Sequence, residues 1–197
     1  MTDPFAFALA VFALLAVPGP TNTLLAASGA SVGFRRSLRI IPAEIGGYAI
    51  AIAFLLAVFG PLASAHPALT VASRLVASLY LAWSALTLWR GAATAGRGVH
   101  GAITVRRVFV TTLLNPKALL FAFVIFPPPG DPHLALQAPL FAGLMIGIAS
   151  CWIGFGRLLA RSASGIATPA RISQGAAVAM SIFAVLIGSS AIAAVLA

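Results

Sequence analysis

Apolar residues in this chain come in long unbroken runs, not in the strict alternation of a strand or the one-sided stripe of a surface helix. Six such stretches cover 4–29, 38–63, 68–89, 108–128, 135–158 and 173–196. A membrane-crossing helix needs about 20 mainly apolar residues, and each stretch is long enough. Outer-membrane barrel strands would alternate apolar and polar positions, and these Ala- and Leu-rich runs do not. The pattern predicts an all-α integral membrane protein, a single domain over 1–197 with six transmembrane helices. The stretches are separated by Gly33-Phe34-Arg35-Arg36, by Gly60-Pro61 to His66-Pro67, by Arg90 to Arg107, by Pro127-Pro128-Pro129-Gly130-Asp131-Pro132 and by Arg161 to Arg171. Gly/Pro clusters and charges of this kind stop helices.

Two of the stretches carry an internal interruption. The first contains Val17-Pro18-Gly19-Pro20-Thr21-Asn22, and the fourth contains Asn115-Pro116-Lys117. Proline removes a backbone donor and clashes with the preceding turn, so both helices are expected to break. A break inside lipid is tolerated only where protein or a wet cavity satisfies the freed backbone groups. Three spans separate the two ends of the first half, approximately 1–100, so the second half, 101–197, enters from the opposite side. The fold therefore reads as two inverted three-helix halves, the first helix of each half broken at proline. Interrupted helices in matching places of inverted halves mark a transporter's solute site. The competing reading is a pair of proline kinks that serve packing alone.

Composition agrees. Hydrophobic residues make up 61% of the 197 positions and charged residues only 8%, against about 25% charged in a soluble domain. The mean hydropathy is +1.07. Soluble and disordered classes are excluded. The net charge of +9 does not point to nucleic acid, because basic residues are not interleaved with aromatics as a base-stacking surface requires. Instead the arginines fill the odd-numbered gaps and their edges: Arg35, Arg36 and Arg39, then Arg90, Arg97, Arg106 and Arg107, then Arg157, Arg161 and Arg171. That placement suits anionic membrane lipids. By the positive-inside rule those gaps face the cytoplasm and both termini face out. The first stretch opens Met1-Thr2-Asp3-Pro4 without a basic residue, so it reads as a retained helix, not a signal peptide.

Few residues carry chemistry. Lys117 is the only lysine, about 15 Å along the helix from Arg107 at 1.5 Å per residue. A cation at that depth needs a partner or a hydrated cavity. It either holds a solute's carboxylate or bonds carbonyls freed by the other break. Glu44 is the only acidic residue well inside a span. It could carry a coupling proton, be wetted by the cytoplasm, or pair with Arg36 or Arg39. Arg74 is expected to snorkel outward, and Asp3 and Asp131 to be solvated. His66, His100 and His133 fall in gaps and form no buried relay. Cys151 lies in an apolar run and is expected to be a packed, inert thiol. One cysteine makes no disulfide or metal cluster, so no metal and no cofactor is expected. Gly29-x-x-x-Gly33 and Gly143-x-x-x-Gly147 allow close helix contact, within one chain or in a homodimer.

Pro18-Gly19-Pro20 and Asn115-Pro116-Lys117-Ala118, on a chain of this length with six apolar stretches, resemble the lysine exporter family (LysE/RhtB type). Gly33-Phe34-Arg35-Arg36, Ser78-Leu79-Tyr80-Leu81-Ala82-Trp83, Trp152 and the closing Gly175 to Gly188 helix fit the same pattern. The resemblance spans essentially the whole chain. It implies a proton-driven exporter of amino acids or related metabolites in the bacterial inner membrane. It places the family's motifs on Pro18, Gly19 and Pro20, followed by Thr21 and Asn22, and on Asn115, Pro116 and Lys117. The implied partner is a small zwitterionic substrate. A membrane enzyme would need a buried His/Ser pair, paired acids or a metal cluster, none of which is evident. A non-transporting structural or assembly subunit is the alternative; it would not need paired breaks.

Overall fold

The computed structural model describes residues 3–91, 103–161 and 169–196, and the described residues form helices and no strand. Asp3 is exposed, as expected, and also caps the first helix. Its carboxylate accepts the backbone N–H groups of Phe5 and Ala6, each at 3.1 Å. Helix α1 then runs over Pro4–Ala16. Val17 leaves the helix with φ −61° and ψ 124°, because the residue before a proline is pushed out of the helical region. Gly19, also before a proline, is extended, and Pro20 occupies the first position of α2, Pro20–Val32, where its missing N–H costs nothing. The two helices meet at a bend of 65°.

Gly33 ends α2 with φ +85°, a conformation that favours glycine. This one residue does the work expected of a four-residue gap. Helix α3, Phe34–Ser37, follows at once, then a single 3-10 turn over Leu38–Ile40 and helix α4, Ile41–Ala65. Arg35, Arg36 and Arg39 thus ride on the first turns of one continuous helical stretch instead of lying in a loop. Helix α5 covers Pro67–Gly91. Helix α6, Val105–Leu113, is capped by the Thr104 hydroxyl on the N–H of Arg107. Helix α7, Lys117–Leu120, leads into one π turn at Phe121–Ile125, and this pair is bent by 51°. Helices α8, Leu134–Arg161, and α9, Pro169–Leu196, complete the chain. Arg97 and His100 lie outside the described residues, as does the side chain of Arg171.

Among the described residues, Phe34–Leu62 and Leu134–Arg161 are each long and apolar enough to cross a membrane. Each bent pair reaches that length when its two pieces are taken together. The third and sixth expected stretches are present as α5 and α9. Their apolar cores, Val71–Thr87 and Met180–Ala193, are shorter. The outer faces are apolar, with Phe5, Leu79, Leu114 and Val185 exposed, the inverse of a water-soluble surface.

Small residues bring the helices together. A Cβ on Gly29 would fall 2.0 Å from the Ile153 carbonyl oxygen, and one on Gly156 would fall 1.9 Å from that of Ala26. Helices α2 and α8 therefore cross backbone to backbone. Gly47 gives α6 the same access to α4, with the Thr112 Cβ 2.8 Å from where its own would be. Gly188 makes room for Ser78, whose hydroxyl donates to the Ala184 carbonyl at 2.8 Å and ties α5 to α9. Among the described residues nothing lies within 4 Å of a Cβ built on Gly143 or Gly147, so no close helix contact is seen there. Cys151 is exposed, which corrects the expectation of a packed thiol. Its apolar neighbours mark the outside of the bundle, not the core. Asp131 is not simply solvated. It contacts the His133 ring at 2.6 Å, and the His133 backbone N–H at 2.8 Å is the main cause holding its carboxyl below the usual range.

Candidate functional site

The two breaks meet. Ending α1 at Ala16 frees the last carbonyls of that helix inside an apolar core. The Asn22 amide turns back and donates to Leu15 O at 2.8 Å and to Val17 O at 2.9 Å. The same Val17 carbonyl accepts the Lys117 ammonium, which arrives from the second break. Gly19 lies against that lysine. A Cβ there would be 3.4 Å from both Cε and Nζ, in van der Waals contact with the end of the lysine. Thr23 closes the first break by donating to Gly19 O at 2.9 Å.

The second break is held from its own sequence. Asn115 Oδ1 accepts the Lys117 backbone N–H at 3.1 Å, a local Asx turn that satisfies a donor Pro116 could not bridge. The other end of the Asn115 side chain reaches across the bundle. Its amide donates to Tyr48 OH at 3.0 Å and to Thr21 Oγ1 at 3.2 Å. Thr112 Oγ1 donates to Val108 O at 2.8 Å. Its proton is thereby spent, so in the 3.2 Å contact between the two threonines Thr21 donates and Thr112 accepts. The bonds run in one direction, from the Asn115 amide through two hydroxyls to a carbonyl on α6.

Glu44 is on α4 one turn before Tyr48, on the same face. It is buried, Oε2 has no hydrogen-bond partner, and no ion pair joins it to Arg36 or Arg39. Its charge and that of Lys117 act on one another without direct contact. Thr21, Asn22, Glu44, Tyr48, Thr112, Asn115 and Lys117 are each at most 5% exposed. The polar cluster is closed to bulk water, and its unpartnered carboxylate oxygen is a costly feature in such a place. Edge-to-face aromatics pack beside it: Tyr48 against Phe121 with centroids at 5.4 Å, Phe121 against Phe141 at 4.8 Å, and Phe141 against Phe126 at 5.2 Å.

Every residue expected from the two motifs thus lies at one place, either as a side chain of the cluster or as backbone of a break. A model of the LysE type translocator family matches residues 12–196. The chain belongs to that family. Neither a curated protein nor a solved structure matches it. Membership in the LysE type translocators makes it a membrane transporter of amino acids or similar compounds. In this LysE type chain, two members of the cluster went unread in the sequence. Tyr48 could have been found as the polar residue one turn from Glu44. Thr112 could have been found as a hydroxyl one turn before the second break. Arg74 is half-buried on α5, its Nε without a hydrogen-bond partner among the described residues, and takes no part in the cluster.

Proposed function

We propose that this protein is a secondary exporter of a small amino acid or similar zwitterion, driven by the proton gradient across a bacterial inner membrane. In this reading the chain spans six times, through the two broken pairs and through α4, α5, α8 and α9, with both termini outside. The observation that carries the proposal is the convergence of Lys117 and Asn22 on the Val17 carbonyl, which joins the two breaks in one occluded polar cluster. A solute carboxylate would replace that carbonyl on Lys117, charge against charge. Its amine would meet the free oxygen of Glu44. Thr21, Asn115 and Tyr48 would orient it, and the ends of the broken helices would supply backbone groups at Pro18, Gly19, Pro20 and Pro116. Glu44 would release or take the coupling proton as the solute arrives or leaves. As the solute leaves outside, Glu44 takes a proton in its place, Lys117 returns to Val17, and the site reorients carrying that proton inward.

The inverted halves are supported by which helices pack together. The main contacts are α2 with α8, α4 with α6, and α5 with α9. Exchange the first stretch with the fourth, the second with the fifth and the third with the sixth. Taken as whole stretches, the contact of the first with the fifth maps onto that of the fourth with the second, and α5–α9 maps onto itself. In chain order α1 corresponds to α6, so α1–α8 is the counterpart of α6–α4, and α2 packs on α8 more extensively than its counterpart α7 packs on α4. A two-fold relation of this kind lets one half rock against the other around a fixed site. Purified protein in proteoliposomes, loaded with labelled amino acids and given an imposed pH gradient, is expected to release one solute class faster than empty vesicles do. Absence of release for every amino acid, from folded protein, would refute the proposal and favour a non-transporting subunit.

A further inference from the structure

A second polar feature lies away from the occluded cluster, where the end of α2 and the start of α3 face the end of α8. A cavity of about 490 Å³ opens there. Arg35, Arg36, Arg157 and Arg161 line it, with Gly33 and Phe34. Among the described residues none of these guanidinium groups has a protein acceptor or an ion pair. The chain as a whole leaves none to offer. It has three side-chain carboxylates. Asp3 caps α1, Glu44 is buried on α4, and Asp131 is engaged by His133. Four guanidinium groups converge on one opening with no protein acid to neutralise them.

We propose that this cavity binds the phosphate headgroup of an anionic membrane phospholipid. Arginine presents planar, paired donors that match phosphate oxygens, and basic pockets between membrane helices at the cytoplasmic side are suited to such headgroups. The helix ends oppose binding only weakly. The C-termini of α2 and α8 contribute about half a negative charge each, against four full positive charges. The walls are held in advance. Gly29 and Gly156 lock α2 onto α8. Ser28 and Ser37 share a hydrogen bond of 2.8 Å that ties α2 to α3, and Ser37 also donates to Gly33 O at 2.8 Å. Little ordering remains to be done when the ligand enters. Position favours a lipid over a free anion. Val32 in the cavity wall is exposed, as is Leu158 on the helix that carries Arg157 and Arg161, so apolar surface for an acyl chain is present on the helices that form the cavity. The inference depends on the chain's place in a membrane and not on the transport cycle.

The test is lipid binding by the delipidated full-length protein in detergent, followed by native mass spectrometry. Phosphatidylglycerol, phosphatidylethanolamine and inorganic phosphate are the three probes. Phosphatidylglycerol is expected to stay bound where phosphatidylethanolamine dissociates, and excess inorganic phosphate is expected not to displace it. The Arg36→Gln/Arg157→Gln double variant should bind phosphatidylglycerol more weakly by about fivefold for each arginine removed. Arg106→Gln, outside the cavity, should bind as the parent does. If the double variant does not fold, each single variant should show its own loss of about fivefold. Equal retention of both lipids, an equal loss from Arg106→Gln, or full displacement by inorganic phosphate would each overturn the proposal. The last outcome would identify a free anion as the ligand.

Discussion

Lys117 and Asn22 share one acceptor. The Val17 carbonyl takes a neutral amide and a cation together. Asn22 also holds Leu15 O, so removing the lysine leaves the break capped, whereas the ammonium loses the Val17 carbonyl if the break straightens. Lys117→Met should therefore leave folded protein in the membrane and abolish both export and exchange. Glu44 has a free oxygen and no arginine beside it. Glu44→Gln should stop export driven by a pH gradient but preserve exchange of labelled for unlabelled solute, which needs no net proton movement. Measured side by side in vesicles, these two variants separate a solute-holding cation from a proton carrier. If the two groups are merely a structural pair, each single variant will lose stability. The Lys117→Met/Glu44→Gln double will regain it, with transport untouched.

Two kinds of helix feature do different jobs at the level of elements. Glycines at the crossings set how closely helices approach. Gly29→Ala places a methyl 2.0 Å from a backbone oxygen of α8, which no side-chain adjustment relieves. Overpacking of this kind costs roughly 1–3 kcal/mol, so thermal unfolding in detergent should move down. Gly143→Ala adds a methyl where nothing lies within reach and gains helix propensity. It should unfold at the same temperature or higher. A dimer seam at Gly143 and Gly147 would instead show as lost self-association. The prolines define where the helices stop. Pro18→Ala and Pro116→Ala restore a backbone donor at each break and should lower export far more than they lower the amount of folded protein. Equal losses of both would assign the breaks to packing.

Orientation is a property of the whole molecule. By the positive-inside rule, the arginines of the first, third and fifth gaps are expected to face the cytoplasm. The exposed Cys151 would confuse any thiol labelling, so Cys151→Ser is the necessary background. On it, Thr2→Cys and Pro129→Cys should react with an impermeant maleimide added outside intact cells, and Gly98→Cys should react only after the membrane is opened. The reverse pattern would invert the molecule. It would also move the four-arginine cavity to the outer leaflet, where the lipid proposal could be tested separately from the transport reading.

The sequence alone determined the apolar stretches, the positions of both breaks and the charged gaps. These follow from local rules: run length, the geometry of proline and the cost of placing charge in lipid. Val17, Gly19 and Asn115 leave the helical path with a proline next, whereas Pro61 and Pro139 sit inside unbroken helices, so proline marks where a break is favoured and the surroundings decide whether it forms. It also made Lys117 and Glu44 conspicuous, since each is alone of its kind deep in an apolar run. What decided their environment was packing between segments about a hundred residues apart. That Lys117 ends on Val17, that Asn115 spans to Tyr48 and Thr21, and that Glu44 is left without an arginine depend on where α2, α4 and α6 cross. Those crossings depend in turn on Gly29, Gly47 and Gly156; the spacing of Gly29 and Gly33 marked the first, but which helix each glycine meets has no signature in a single sequence. Cys151 and Gly143 make the same point from outside. An apolar run in a membrane protein faces lipid as readily as core, because both are apolar, and only the tertiary structure distinguishes them.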